Sequence, residues 1–345
     1  MTDPQFYSIS LFLVLAILFG IYLMQRVETA KWGNTISAVA TLVAILLTLF
    51  HLDVLTVEYL LDVTGLGVFL LIGCIIGIWV TKKVKMIQMP QVVALLNGIG
   101  GAASAIVGAV TLFGLKSPSF ELFTALLAVA IGVVTFVGSL IAAIKLSGRI
   151  EGRPIFIKYH QGYVLISLFL LVIPFIIPFV VPESMGWALA FLVLLSATFS
   201  GLATIRIGGA DMPITISLLN ALSGVAGAIA GMAINNVLLV AVGGIIGASG
   251  LILTQLMCRS MNRKLRDILL GKTTARIWDH KAVVQDALVR DSTESVLDTV
   301  LCDAQRVIIV PGYGMALAQA QHHLKELSDR LKERGATVKF AIHPV

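Results

Sequence analysis

Charged side chains are scarce in this chain: Asp, Glu, Lys and Arg make up 13% of its 345 residues. Soluble domains carry about 25%. Hydrophobic residues account for 58% of the sequence, and from Phe6 to Cys258 they form long runs with few interruptions. This composition excludes an ordinary soluble protein. It indicates an integral membrane protein with a polar tail of about 85 residues.

Cysteine is also scarce. The three cysteines, Cys74, Cys258 and Cys302, lie far apart without metal-binding spacing, so we interpret them as unpaired small hydrophobic residues and expect no metal site. The first five residues include an acid and no basic cluster, and no clear cleavage site follows the first apolar run. That run is therefore predicted to remain as a spanning helix rather than to be removed as a signal peptide.

Long apolar runs dominate what is present. A spanning helix needs about 20 such residues, and nine runs of this kind lie near 6–24, 33–50, 59–80, 90–115, 119–145, 162–181, 185–205, 213–233 and 236–258. They predict an α-helical membrane bundle. The glycine pairs Gly73/Gly77, Gly227/Gly231 and Gly243/Gly247 each share one helix face, which favours close helix packing.

Basic residues lie almost entirely on one side of such a bundle. Alternate loops carry Arg26, Lys31, Lys82, Lys83, Lys85, Lys145, Arg149, Arg153, Lys158, Arg206, Arg259, Arg263, Lys264 and Arg266. Only Lys116 falls on the opposite side. Because cytoplasmic loops are enriched in Lys and Arg, we expect the N-terminus outside and the polar tail in the cytoplasm. This placement accounts for the net charge of +6 without a nucleic-acid partner.

Ionisable side chains are missing from the middle of the predicted spans, where ion and proton pathways usually place one. The polar residues there are neutral: Asn97, Ser104, Thr135, Ser139, Ser217, Asn220, Ser223, Ser249, Thr254 and Gln255. An amide in hydrocarbon costs several kcal/mol unless it is satisfied. Asn97 and Asn220 lie at matching depth, about 10 Å from the cytoplasmic edge. They could hold a functional water or form a plain helix–helix hydrogen bond. Because an amide does not titrate, the chain alone is not expected to complete a proton path.

The polar tail ends in a strand, a glycine turn, a helix and a second strand. These are predicted at 306–311, 312–314, 315–334 and 337–342, after a hinge or linker over 261–290 and a capped helix that opens at Ser292. Such a βαβ unit has parallel strands and points the helix N-terminus at the turn, where free N–H groups suit a pyrophosphate. The third glycine of GxGxxG is absent. No acid ends the second strand, which disfavours NAD and is compatible with NADP.

Five segments are more specific than the glycine turn: Pro311-Gly-Tyr-Gly-Met-Ala-Leu-Ala-Gln-Ala-Gln321, Gly208-Gly-Ala-Asp-Met-Pro213, Leu219-Asn-Ala-Leu-Ser-Gly224, Met257-Cys-Arg-Ser-Met-Asn-Arg263 and Phe340-Ala-Ile-His-Pro-Val345. The stretches 82–90 and 132–139 support them. Together with the apolar spans, these segments closely resemble the beta subunit of proton-translocating NAD(P) transhydrogenase.

The resemblance implies Si-face hydride transfer from NADH, held on the NAD-binding domain of an alpha subunit, to NADP held on this chain. Proton movement across a bacterial inner membrane would drive it. Residues 1–260 would form the transmembrane proton-translocating domain, and 291–345 the N-terminal part of a Rossmann-like NADP(H)-binding domain. The alpha subunit is expected to add transmembrane helices, and the complex is expected to be a dimer embedded in lipid.

The resemblance also assigns residues. Those expected to lie against NADP(H) are Gly312, Tyr313, Gly314, Met315, Ala316, Gln319 and His343. Those assigned to the proton pathway and its coupling are Asn97, Ser139, Asp211, Asn220, Ser249 and Arg263. No residue is assigned a catalytic role, because the cofactors carry the hydride chemistry.

The chain departs from the family pattern at two places. Asn97 stands where many members have a proton-handling histidine, so a histidine on a partner subunit's helix is expected to substitute. The family's NADP domain continues past the segment that ends at Val345, so a truncated sequence is expected.

Two alternative functions account for part of the same pattern. A secondary transporter or channel with a cytoplasmic nucleotide-sensing domain would also combine a bundle with a Rossmann-like half, but charged or unwound mid-span segments for a solute are missing. A passive membrane anchor leaves the paired mid-span amides unexplained.

Overall fold

The computed structural model describes residues 3–51, 60–85, 88–114, 120–150, 155, 158–261, 263–269, 304–312, 315 and 320–341. The helices are α1 (Asp3–Met24), α2 (Ala30–His51), α3 (Leu60–Lys83), α4 (Met89–Gly114), α5 (Phe120–Leu146), α6 (His160–Leu170), α7 (Val172–Val180), α8 (Met185–Ile205), α9 (Met212–Ala233), α10 (Val237–Ser260), α11 (Leu265–Leu269) and α12 (Gln321–Glu333). The strands are β1 (Arg306–Ile309) and β2 (Thr337–Phe340). Single 3₁₀ turns cover Pro182–Ser184 and Gly209–Asp211.

Nine helical segments in the described ranges are long and apolar enough to cross a membrane, counting α6 and α7 as one. This confirms the predicted number of spans. The sixth span differs from the prediction because it is interrupted at Leu171. Pro174 lacks the N–H that would bond to the Leu170 carbonyl, and its ring crowds that carbonyl, so the helix breaks there.

The centre of the bundle consists of α4, α5, α9 and α10. The pairs α4–α5 and α9–α10 make the most extensive contacts, and α5 also packs against α9 and α8. Helices α6 and α7 lie against α8, while α1 and α2 pair with each other and reach α10. None of the apolar window of α3 is buried. The candidate site therefore lies among the helices that pack most closely.

Glycines set the spacing between α9 and α10. A Cβ at Gly243 would lie 2.5 Å from the Ala228 nitrogen, and one at Gly224 would lie 2.6 Å from the Gly247 nitrogen. The backbones approach this closely because neither position carries a side chain. The predicted packing role is confirmed for Gly243/Gly247 and for Gly231, whereas a Cβ added at Gly73 or Gly77 would meet no neighbouring atom within 4 Å among the described residues.

The described part of the tail contains a parallel strand pair. β1 and β2 align from Arg306 opposite Thr337 to Ile309 opposite Phe340, with α12 between them in the chain. The two predicted strands are confirmed, although both are shorter than expected. Of the helix predicted at 315–334, the structure confirms Gln321–Glu333, and residues 316–319 lie outside the described residues. Pro311 has no N–H to extend the ladder. The hinge beyond residue 269, the capped helix at Ser292 and Cys302 lie outside the described residues, and a complete Rossmann-like domain stays a prediction.

Candidate functional site

A buried amide joins α4 to α9. Asn97 is 7% exposed, and its Nδ2 donates to the main-chain oxygen of Ile216 across 3.3 Å. Within α9 the same oxygen is positioned to accept the N–H of Asn220, four residues later. Asn97 is therefore bonded to the turn of α9 that carries Asn220. Of the two interpretations of the amide pair, the structure confirms a helix–helix hydrogen bond for Asn97.

The side chain of Asn220 is half-buried and makes no hydrogen bond to the residues that the structure describes. Both asparagines lie about 12 Å along the helix axis from the first residue of their helix, Met89 or Met212. The two asparagines therefore occupy equivalent positions in α4 and α9, while their depth in a membrane stays a prediction. The free amide of Asn220 can both donate and accept, so it can exchange hydrogen bonds with water or with an incoming side chain.

Small and hydroxylic residues continue this contact deeper into the membrane. A Cβ at Gly100 of α4 would lie 2.6 Å from the Ser223 Oγ of α9, and one at Gly227 would lie 4.0 Å from the Ser104 Oγ of α4. Ser104 is buried and Ser223 half-buried. We call the residues Asn97, Gly100, Ser104, Asn220, Ser223 and Gly227 the polar seam. Sequence reasoning found its polar members but not their alignment across two helices.

Titratable side chains are missing from both helices that form the polar seam, since neither α4 nor α9 contains Asp, Glu, His, Lys, Arg, Cys or Tyr. Amides and hydroxyls can relay a proton through hydrogen bonds, but they do not hold one at neutral pH. The two helices that form the seam therefore contain no side chain that could hold a proton at neutral pH.

The other predicted mid-span residues occupy different environments. Ser139 of α5 is fully buried beside Gly98, and its Oγ has no hydrogen-bond partner among the residues that the structure describes. Ser249 lies on an exposed face of α10 and donates to the Ile246 carbonyl of its own helix. Ser139 thus adjoins the seam through the residue after Asn97, whereas Ser249 points away from the α9 side of α10. Their roles in the pathway stay predictions.

A further polar contact links α9 to α10. The hydroxyls of Ser217 and Thr254 lie 3.0 Å apart and are both buried. Ser217 follows Ile216, the acceptor of the Asn97 amide. This hydroxyl pair fixes the same turn of α9 from its other side, so the turn is held by both neighbouring helices.

An ion pair lies at the basic end of the bundle, where the spans meet the polar tail. Asp211 ends the 3₁₀ turn before α9 and is 4% exposed, and its Oδ1 lies 3.5 Å from the Nε of Arg263. Burial raises the pKa of the Asp211 carboxyl, and the Arg263 guanidinium opposes that rise. The backbone N–H of Arg263 donates to the Cys258 carbonyl at the end of α10. The structure therefore brings together two of the predicted coupling residues.

Lys145 is a polar residue of this end that sequence reasoning had placed in a loop. It lies in the last turn of α5 and is 2% exposed. Its Nζ donates to the main-chain oxygens of Ile205 and Ile207, at 2.9 Å for the latter. Its burial could have been predicted from its helical spacing from Gly138 and Ala142, because this spacing puts all three residues on one face of α5.

The described part of the predicted nucleotide site is its strand and the start of its turn. Gly312 follows β1, and its carbonyl accepts the N–H of Met315 across 3.1 Å. A turn therefore begins at the carboxyl end of a parallel strand, the edge at which α/β proteins bind nucleotides. Tyr313, Gly314, Ala316, Gln319 and His343 lie outside the described residues, so their contacts with NADP(H) stay a prediction.

Comparisons with known proteins give a consistent result. The sequence profile of the family "NAD(P) transhydrogenase beta subunit" matches residues 7–345. Two sequences from Rhodospirillum rubrum named NAD(P) transhydrogenase subunit beta are 35% identical over 352 residues, covering 98% of this chain and 74% of each relative.

Proposed function

This chain belongs to the NAD(P) transhydrogenase beta subunit family, and we propose that its polar seam relays protons while its tail holds NADP(H). The enzyme of which this family forms a part is proton-translocating. The transporter and anchor alternatives are thereby set aside. The observation that carries the proposal is the hydrogen bond from Asn97 to the Ile216 carbonyl, which bonds the first mid-span amide to the turn of α9 that carries the second.

The cofactors divide between two chains. NADP(H) binds the tail of this subunit and NAD(H) binds the alpha subunit, and the nicotinamides supply the hydride chemistry, with transfer on the Si face. The residues of this chain have a positioning role. The turn that begins at Gly312 lies at the carboxyl end of a parallel strand, which is where α/β proteins hold the pyrophosphate of a nucleotide.

A titrating group reaches the seam from the partner. Asn220 and Ser223 are only half-buried, and the Asn220 amide makes no hydrogen bond to the described residues. A transmembrane helix of the alpha subunit can therefore bring an imidazole against this side of α9. Such a group supplies the charge change that the seam lacks, and the amides position the water or side chain that exchanges the proton.

The ion pair at the basic end couples the seam to the tail. Asp211 immediately precedes α9, which carries Asn220, and Arg263 follows α10 at the start of the segment leading to the nucleotide domain. A change in the charge of Asp211 alters its attraction to Arg263. Motion of α9 or protonation near the seam thus changes the position of the segment after Arg263, on which NADP(H) binding depends.

The proposal places this subunit in a bacterial inner membrane, with the tail in the cytoplasm and the complex a dimer. Single cysteines introduced at Lys85 and at Lys116 would be labelled with a membrane-impermeant maleimide in intact cells and in inverted vesicles. Labelling of position 85 only in inverted vesicles, and of position 116 only in intact cells, supports the orientation. The reverse pattern contradicts it.

The relay itself is tested in the complete complex reconstituted with the alpha subunit in proteoliposomes. Reduction of an NADP analogue by NADH and proton uptake are recorded together for the wild type, Asn220→Ala and Asn235→Ala. Asn235 is the matched control, since its amide bonds to Glu121 away from the seam. Loss of coupled turnover only in Asn220→Ala supports the relay, and equal rates in all three proteins contradict it.

A further inference from the structure

Lys145 is buried in an unusual way for a lysine at the end of a membrane helix. It is 2% exposed, whereas lysines at such positions ordinarily extend to the interface. Burying an ammonium group costs several kcal/mol unless it is paired or hydrogen-bonded. Here the compensation comes from the main-chain oxygens of Ile205 and Ile207. A buried charge held by backbone carbonyls fixes the backbone to which it is bonded.

The two carbonyls suit a cation. Ile205 is the last residue of α8, and the final carbonyls of a helix lack intrahelical donors and carry the negative end of the helix dipole. Ser200 of α8 donates in the opposite direction, to the Val134 carbonyl of α5. The two helices are therefore tied reciprocally, with Lys145 the tie nearest the cytoplasmic end.

The segment that Lys145 holds leads directly to Asp211. After Ile207 the chain continues through Gly208 and Gly209 into the 3₁₀ turn, where the Asp211 N–H donates to the Gly208 carbonyl. Two adjacent glycines would leave such a segment conformationally free. The Lys145 bonds and the burial of Ile207, which is 3% exposed, oppose that freedom.

We infer that Lys145 is a positioning residue: its buried ammonium clamps the α8–α9 segment and thereby holds the Asp211 carboxylate opposite Arg263. The inference rests on the proposed coupling role of that ion pair. Among the described residues, Lys145 forms its hydrogen bonds with the main chain of this segment and not with the polar seam. Lys145 acts on coupling through the backbone that positions Asp211. Its effect on coupling therefore depends on the presence of the Asp211 carboxylate.

This dependence gives the inference a specific signature. If Lys145 acts through Asp211, removing the ammonium should lower the coupled rate of the wild type. The same change should lower the rate much less in a protein whose Asp211 has been replaced. Two residues that act independently show additive effects instead. A general loss of packing at this end of the bundle would also be additive, because it does not depend on the Asp211 charge.

The test is a double-mutant cycle in the complete alpha–beta complex in proteoliposomes. It compares wild type, Lys145→Met, Asp211→Asn and the double variant, with proton uptake per hydride transferred and the coupled rate as readouts. Lys145→Met keeps the length of the side chain and removes its donors. Gln91→Met is the matched control, since the Gln91 amide donates to the Leu146 carbonyl at the same end of α5 without holding the Asp211 segment.

We expect Lys145→Met to lower the coupled rate by about tenfold, and the double variant to be no slower than Asp211→Asn. Lys145→Arg, which retains charge and donors, should recover most of the rate. Gln91→Met should keep the wild-type ratio of protons to hydride. Should Lys145→Met fail to assemble, Lys145→Gln, which retains one donor group, takes its place in the cycle.

Additive losses in the double variant, or wild-type coupling in Lys145→Met, would overturn the inference. A different result would reject the proposed function instead: Asp211→Asn with wild-type coupling would show that the ion pair has no coupling role. The four proteins of the cycle therefore distinguish the two failures.

Discussion

The amide of Asn97 donates to the carbonyl of Ile216, the oxygen positioned to accept the backbone N–H of Asn220 within α9. A side chain of one central helix is thus bonded to the turn that carries the second mid-span amide.

Asn97→Leu removes the donor while keeping the branching of the side chain at Cγ. The Ile216 carbonyl retains its position within α9, so the loss is that of one hydrogen bond, about 1 kcal/mol of stability. We expect coupled turnover to fall by more than NADP affinity, because the variant affects the seam and not the tail. Rates in proteoliposomes and NADP titration of the same complex provide the comparison. Equal loss of rate and affinity would contradict the assignment.

Asn97→His should supply a titrating group within this chain. In a complex whose partner histidine has been replaced by a non-titrating residue, we expect this substitution to recover part of the proton movement. Asn97→Gln is the control, because it lengthens the side chain without adding a titrating group. Proton uptake that stays absent in Asn97→His, with hydride transfer intact, would argue against a proton-holding group at this position of the seam.

Asp211 makes the stability of the bundle depend on pH. Burial raises the pKa of its carboxyl in the folded protein despite Arg263, so folding favours the protonated form. Its stabilising contribution is present below the unfolded value of about 3.9 and is lost as pH rises through the raised folded value. Thermal unfolding in detergent, recorded across this range for wild type and Asp211→Asn, checks the sign. We expect the wild type to lose stability relative to Asp211→Asn as pH rises. Parallel curves would show that Asp211 has the same pKa in both states.

Two adjacent glycines of α10 offer a matched test of helix packing. A Cβ at Gly243 would lie 2.5 Å from the Ala228 nitrogen and 2.8 Å from the Gly224 oxygen, whereas one at Gly244 has no atom within 4 Å. Gly243→Ala should therefore destabilise the bundle by about 1–3 kcal/mol because backbone atoms must move apart. Gly244→Ala should be neutral or slightly stabilising through helix propensity. Similar unfolding midpoints for the two variants would contradict the predicted α9–α10 contact.

Hydropathy alone was sufficient to predict the nine spans, because a bilayer requires each helix to be long and apolar. Hydropathy did not predict the break at Leu171. The sequence contains Pro174, but many membrane helices tolerate a proline without a break. The parallel strands of the tail followed from a pattern local in the chain. The depths of Asn97 and Asn220 could be estimated by counting residues along each helix.

The sequence did not predict how side chains are oriented between neighbouring helices. The bond from Asn97 to Ile216 and the burial of Lys145 depend on how α4, α5, α8 and α9 rotate against one another. Helical spacing identifies a face but not the helix it meets. A basic residue at the end of a span also has the same sequence signature whether it extends to the interface or folds inward. For that reason the charge pattern alone placed Lys145 among the loop residues.

The ratio of protons taken up to hydride transferred, measured in proteoliposomes that contain the complete complex, tests the account most directly. The wild type should show proton uptake with each hydride passed between NADH and the NADP analogue, and Asn220→Ala should retain NADP binding while its coupled rate falls well below that of Asn235→Ala. An Asn220→Ala complex with a wild-type rate and an unchanged ratio would contradict the claim that protons pass along the polar seam.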